Sequence, residues 1–171
     1  GGAQPRPLAG PLEAAGLEGE VRAPDALVAE TDPGALRRIV ANLVRNAVQH
    51  GRGRLRVELA GIAGRVRLRM RNGVRRPGAL DVSRALERGW SSDPAGTGLG
   101  LSIVELLAAR LGGSVAVGLA GEEFEVVLEL PAPPPSAGRA LPVKTNWMGH
   151  LSLFTILARR SRSVKSRCAR L

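Results

Sequence analysis

With 171 residues, 44% of them apolar, the chain is long and greasy enough to build the core of one domain. Its one cysteine, Cys168, excludes an internal disulfide, no Cys and His fall at zinc-ligand spacing, and no run approaches the roughly 20 apolar residues of a membrane span. The net charge of +10 points toward nucleic acid, yet residues 1–131 hold 17 Arg against 15 acidic residues while residues 132–171 hold eight basic residues and no acidic one, so the basicity belongs to the tail.

Residues 1–24 are rich in Gly, Ala and Pro without sustained periodicity, and read as a lead-in from a preceding region. The Gly1-Gly2-Ala3 start is what a piece of a longer protein would show. Ala26 to Ala29 make a short strand. Thr31-Asp32-Pro33 then supplies a cap residue and a first-turn proline, so a helix opens near Pro33. Leu36, Ile39, Val40, Leu43, Val44, Ala47 and Val48 recur at spacings of three and four and predict an amphipathic helix to His50, with Gly51 as its stop. Leu55–Leu59 and Val66–Met70 alternate as a hairpin about a turn at residues 61–64, one side apolar and the other presenting arginines to water. Residues 72–80 form a turn region and residues 81–88 about two turns of helix. Gly96, Gly98 and Gly100 lead into a second amphipathic helix, Leu101–Leu111, closed by Gly112-Gly113. Ser114–Val117 and Phe124–Leu130 alternate about Gly121 as a second hairpin ending at Pro131. This order predicts an α+β fold over residues 25–131: a two-layer α/β sandwich whose mixed, mostly antiparallel sheet is covered on one face by helices.

Two features carry chemistry. Asn42 and Asn46 lie four apart on one face of the first long helix, with His50 a further turn along. Amide oxygens of this kind can hold a hard cation that neutralises a polyphosphate, although the pair alone fits a solvated helix flank better. The loop Gly96-Thr97-Gly98-Leu99-Gly100-Leu101 offers backbone N–H groups at the positive end of a helix, and its glycines leave room for close approach of phosphate. It is not a Walker loop, and no strand precedes it as in a dinucleotide-binding fingerprint.

Taken in order, these segments resemble a known family. Leu36-Arg-Arg-Ile-Val-Ala-Asn-Leu-Val-Arg-Asn-Ala-Val-Gln-His50 is similar to the N box of the histidine-kinase ATPase domain, the Bergerat or GHKL fold shared with gyrase, the heat-shock chaperone and the MutL proteins. Leu86-Glu-Arg-Gly-Trp-Ser-Ser92 resembles its F box, and Gly96-Thr-Gly-Leu-Gly-Leu-Ser-Ile-Val104 its second glycine box. The resemblance implies the ATP-binding catalytic domain of a two-component sensor histidine kinase, with ATP and Mg²⁺ as cofactors. It implies Asn46 as Mg²⁺ ligand, Asn42 beside it as the second catalytic amide, and His50 near the phosphates. Gly96, Thr97, Gly98, Leu99, Gly100 and Leu101 would line the triphosphate under a lid of roughly residues 73–97. The family usually reads adenine with an Asp in D-x-G-x-G; here that place is Arg71-Asn-Gly-Val-Arg75, and Asn72 is the substitute acceptor. Gln49 stands where a basic residue is usual, and Glu123 where a Thr is common.

The phosphoacceptor histidine expected of such a kinase is not His50 or His150, so the partners implied are a histidine-containing dimerisation domain and a downstream response regulator, in a cytoplasmic setting whose parent protein is inner-membrane or soluble. Pro131 to Pro135 should end the domain, and residues 132–171 read as a linker and a basic, disordered tail. Two other readings are a degenerate ATP-binding regulatory module and a nucleic-acid binder acting through the tail. With the basicity confined to the tail, no nucleic-acid partner is expected.

Overall fold

The computed structural model describes residues 6–8, 11–24, 27–75, 81–91, 97–132 and 156–159. A six-stranded mixed sheet runs in the order β1 (Arg6–Leu8), β2 (Glu18–Arg22), β4 (Gly51–Ile62), β5 (Arg65–Val74), β7 (Glu123–Pro131), β6 (Ser114–Ala120). The β2–β4 pairing is parallel and the other four are antiparallel, as the predicted mixed, mostly antiparallel sheet requires. Helices α2 (Pro33–His50) and α3 (Gly100–Arg110) pack against each other, and both feed the same core.

Asp32 explains where α2 begins. Its Oδ1 accepts hydrogen bonds from the Gly34 N–H at 2.7 Å and the Ala35 N–H at 3.3 Å, satisfying two donors that the first turn leaves without helical partners. From there Leu36, Ile39, Leu43 and Ala47 turn a continuous apolar face inward. They meet Leu55, Val57 and Leu59 of β4, Val66, Leu68 and Met70 of β5, and Phe124, Val126, Leu128 and Leu130 of β7, all buried in one cluster with Val104 and Ala108 of α3. The period-two alternation of the strands is what brings these side chains to a single face.

The opposite sheet face differs from the expected row of arginines in water. Arg67 lies opposite Glu129 and Arg71 opposite Glu125 in the β5–β7 register. Arg67 bonds Glu129 at 2.6 Å, Arg69 and Arg71 share Glu125 at 3.4 and 3.3 Å, and Arg56 bonds Glu123. Cross-strand pairing places each cation beside an anion, so the charge of this face is largely balanced.

The N-terminal segment also differs from a loose lead-in. A short helix, α1 (Pro11–Ala14), precedes β2, and Leu12, Leu17 and Val21 are buried in the common core. With only three apolar anchors across ten residues, the segment has no periodicity to read; its order comes from pairing with β4. The predicted strand near Ala26 is β3 (Leu27–Glu30), which pairs in parallel with β8 (Ile156–Arg159). Those four residues of the tail are therefore strand; residues 133–155 and 160–171 lie outside the described residues. The helix expected over residues 81–88 is a single 3-10 turn at Val82–Arg84, capped by Asp81.

Candidate functional site

Asn42, Asn46 and His50 stand one turn apart on α2, as their spacing predicts. Asn42 is buried, with 6% of its surface exposed, while Asn46 and His50 are half-buried. The Asn42 Oδ1 accepts a hydrogen bond from Arg45 Nη2, a partner that reading the asparagine pair did not reveal. The signal was present, because residues three apart on a helix are neighbours.

Register decides which residue of Arg71-Asn72 reaches the helical side. Asn72 is 6% exposed and belongs to the core-facing series of β5 with Leu68 and Met70, whereas Arg71 turns to the ion-paired face. Asn72 Nδ2 donates to the Gly73 carbonyl at 2.9 Å, which makes the amide oxygen the accepting end of the side chain. Gly51 stops α2 for a reason of space. Its backbone is extended, with φ −79°, but a Cβ there would press on the Ala47 carbonyl and stand 2.9 Å from Asn72 Nδ2. Asn72 is thus brought against the C-terminal end of the asparagine helix.

Arg75 ties the next segment to the same helix end. Its N–H donates to the His50 carbonyl at 3.2 Å and its Nε to the Gly51 carbonyl at 2.8 Å. A cation at these carbonyls also suits the negative end of the helix dipole. Glu123 lies on the other sheet face, bonded to Arg56, and so does not enter the Asn72 side at all.

Gly98 has φ +62°, and a Cβ on it would lie 2.6 Å from both the Gly89 carbonyl oxygen and the Trp90 nitrogen. The Gly89 N–H donates to the Gly98 carbonyl at 3.0 Å, so the turn at Gly89 and the glycine before α3 are stitched backbone to backbone. Thr97, Leu99, Gly100 and Leu101 follow as the entry to α3, and Gly96 lies outside the described residues. Leu99 offers no side-chain cap, and a Cβ at Gly100 would meet nothing within 4 Å. Open N–H groups at the start of a helix of 11 residues suit an anion. Among the described residues no hydrogen bond links the side chains of Asn46 or His50 to this loop.

Among the described residues no group of three His, Cys, Asp or Glu is positioned to hold a metal ion. The donors at hand are amide oxygens, which fit a hard cation that takes most of its ligands from phosphate and water. No described helix is long and apolar enough to cross a membrane.

Residues 31–134 match the family model described as histidine kinase-, DNA gyrase B- and HSP90-like ATPase. Over 130 residues the chain is 33% identical to the sensor histidine kinase component HK1 of Mycobacterium tuberculosis H37Rv, covering 71% of this chain and 76% of that protein. It is 33% identical to the probable sensor histidine kinase HK of the CDC 1551 strain, over 71% of this chain but 34% of that protein. Among solved structures, the Acinetobacter baumannii histidine kinase AdeS superposes with a TM-score of 0.61 at 18% identity, over 72% of this chain and 58% of that one, a likeness of fold. Full-length ShkA, solved with AMPPNP, gives 0.56 at 31% identity over 79% of this chain and 30% of that one. The order of the asparagine helix, the Gly89–Gly98 stitch and the α3 entry thus coincides with a matched family, and the chain belongs to the histidine kinase-, DNA gyrase B- and HSP90-like ATPases as a histidine-kinase-type ATP-binding domain.

Proposed function

We propose that this domain binds Mg-ATP beside the asparagine face of α2 and delivers the γ-phosphate to a histidine on a dimerisation domain outside the sequence, from which a response regulator is charged. The observation that carries the reading is the buried Asn42 and half-buried Asn46 on a helix that packs against α3, whose N-terminus opens through glycines without a side-chain cap. In this reading Asn46 is the protein ligand of Mg²⁺, and the ion supplies charge neutralisation on the phosphates. His50 stands by the phosphates, and the Gly96–Leu101 loop donates its backbone N–H groups to them. Asn72 accepts the adenine amino group through its Oδ1, held in that orientation by its own bond to the Gly73 carbonyl. An amide is a weaker acceptor than a carboxylate, so the base contributes less and the triphosphate more of the affinity.

The parent protein is read as a cytoplasmic or inner-membrane sensor kinase. A regulatory ATP-binding module without phosphotransfer is the second reading, favoured by the neutral amide at position 72. Titrating an ATP analogue with and without Mg²⁺ against the wild type and Asn46→Ala tests the site. The wild type should bind in a Mg²⁺-dependent manner, and the variant should lose roughly tenfold or more of that dependence, as expected for a polar contact to a charged group. Absence of Mg²⁺-dependent binding by the wild type would refute the catalytic reading. Phosphorylation of a supplied dimerisation domain separates the two readings.

A further inference from the structure

Arg45 of α2 is set apart from the ion-paired arginines. Arg52, Arg54, Arg56, Arg67, Arg69, Arg71 and Arg84 each pair with a glutamate. Arg45 has no carboxylate partner among the described residues. Its guanidinium instead donates to Asn42 Oδ1, an oxygen on a side chain that is 94% buried when read from its 6% exposure. Burial holds the Asn42 amide in place, so its oxygen gives the Arg45 guanidinium a fixed partner. A guanidinium carries five N–H donors, and one bond to Asn42 leaves the rest for a second acceptor. The remaining polar side chains of this stretch of α2, Asn42, Asn46 and Gln49, are neutral. A polyphosphate beside them gains from a side-chain cation as well as from Mg²⁺, and Arg45 is the cation of this stretch held by a side chain.

We infer that Arg45 is the phosphate-binding cation of the nucleotide site, aimed by Asn42, and that it recognises the β- or γ-phosphate of the bound nucleotide. The inference rests on the ATP-binding reading above. Asn42 is in this respect a positioning residue, its oxygen holding the guanidinium rather than the nucleotide. Gln49 lies one turn beyond Arg45 on the same flank, so a cation at either position reaches the same neighbourhood. Arg38, two turns before Arg45, is displaced by about 10 Å along the helix and serves as a control for unspecific charge loss.

The test is calorimetric titration of the whole chain with ATP and ADP in the presence of Mg²⁺, with adenosine measured by competition against a fluorescent adenosine analogue. Arg45→Ala should weaken ATP and ADP about tenfold or more and adenosine less than about twofold, the scale of one lost charge-assisted contact. Arg45→Ala combined with Gln49→Arg should regain most of that loss, and Arg38→Ala should stay within about twofold of wild type. Thermal unfolding reports that the variants are folded, and Arg45→Lys, which keeps the charge, should retain part of the phosphate preference. Unchanged or tighter ATP binding by Arg45→Ala, or an equal loss for adenosine, overturns the inference while leaving ATP binding standing. If the wild type binds none of the three ligands, the ATP-binding reading itself has failed and Arg45 fails with it.

Discussion

Gly98 illustrates how single side chains govern this site. Two demands meet there, a positive φ and a backbone approach to Gly89 and Trp90 that leaves no space for a methyl group. Either one alone is tolerable for some residues; together they admit glycine only. Gly98→Ala should therefore lower stability by about 1–3 kcal/mol in urea unfolding and weaken ATP binding more than the stability loss alone accounts for. Wild-type behaviour in both measurements would mean that the Gly89–Gly98 stitch does not form in solution. Position 72 depends on a different kind of control. Its chemistry was legible as a neutral replacement for a carboxylate, but its usefulness depends on facing the helices, and only the strand alternation of β5 establishes that. Glu123 shows the converse, since the residue that stands where the resembled family commonly has a Thr faces the other side of the sheet and bonds Arg56.

At the scale of elements, the helices were the most legible parts. The α2 limits follow from a cap, a proline and a glycine, all of which act within a few residues of where they stand. Asp32→Ala removes the acceptor for two N–H groups and should cost about 1 kcal/mol of unfolding free energy, read as a lower midpoint in urea at unchanged slope. An unchanged midpoint would indicate that the end of β3 or solvent satisfies those donors equally well. α3 closes as its two glycines suggest, with Gly112 at φ +73° and Gly113 pressed against the Glu129 carbonyl. The segment over residues 81–88 makes less helix than the two turns its composition suggests. Its composition allows helix, but Gly89 and the stitch to Gly98 pull the chain into turns after one 3-10 step. The short strands β1 and β2 were not legible at all, because three to five residues without strict alternation carry too little pattern to separate strand from coil.

On the whole molecule, the core assembles residues from Leu12 of α1 to Ala132 just after β7. Removing residues 136–171 should leave cooperative unfolding and ATP binding intact, even though Ile156–Arg159 pairs with β3, since that pair of four-residue strands is a separate two-stranded sheet and the six-stranded sheet is complete without it. Loss of cooperative unfolding on truncation would show that the β3–β8 pair supports the fold. The balanced arginine–glutamate face keeps this side of the sheet near neutral in spite of its many arginines. The sequence by itself determined the helices, the hairpins, their order and the two polar motifs, because periodicity, caps and glycine loops act through near neighbours along the chain. Only the tertiary structure decided that the N-terminal segment joins the sheet, that Asn72 and not Arg71 faces the asparagine helix, that Glu123 is withdrawn, and that Arg45 is aimed by a buried amide. Three of these four turn on strand pairing and register between residues far apart in sequence, and the last on the burial of Asn42; neither is written in any local stretch of the chain.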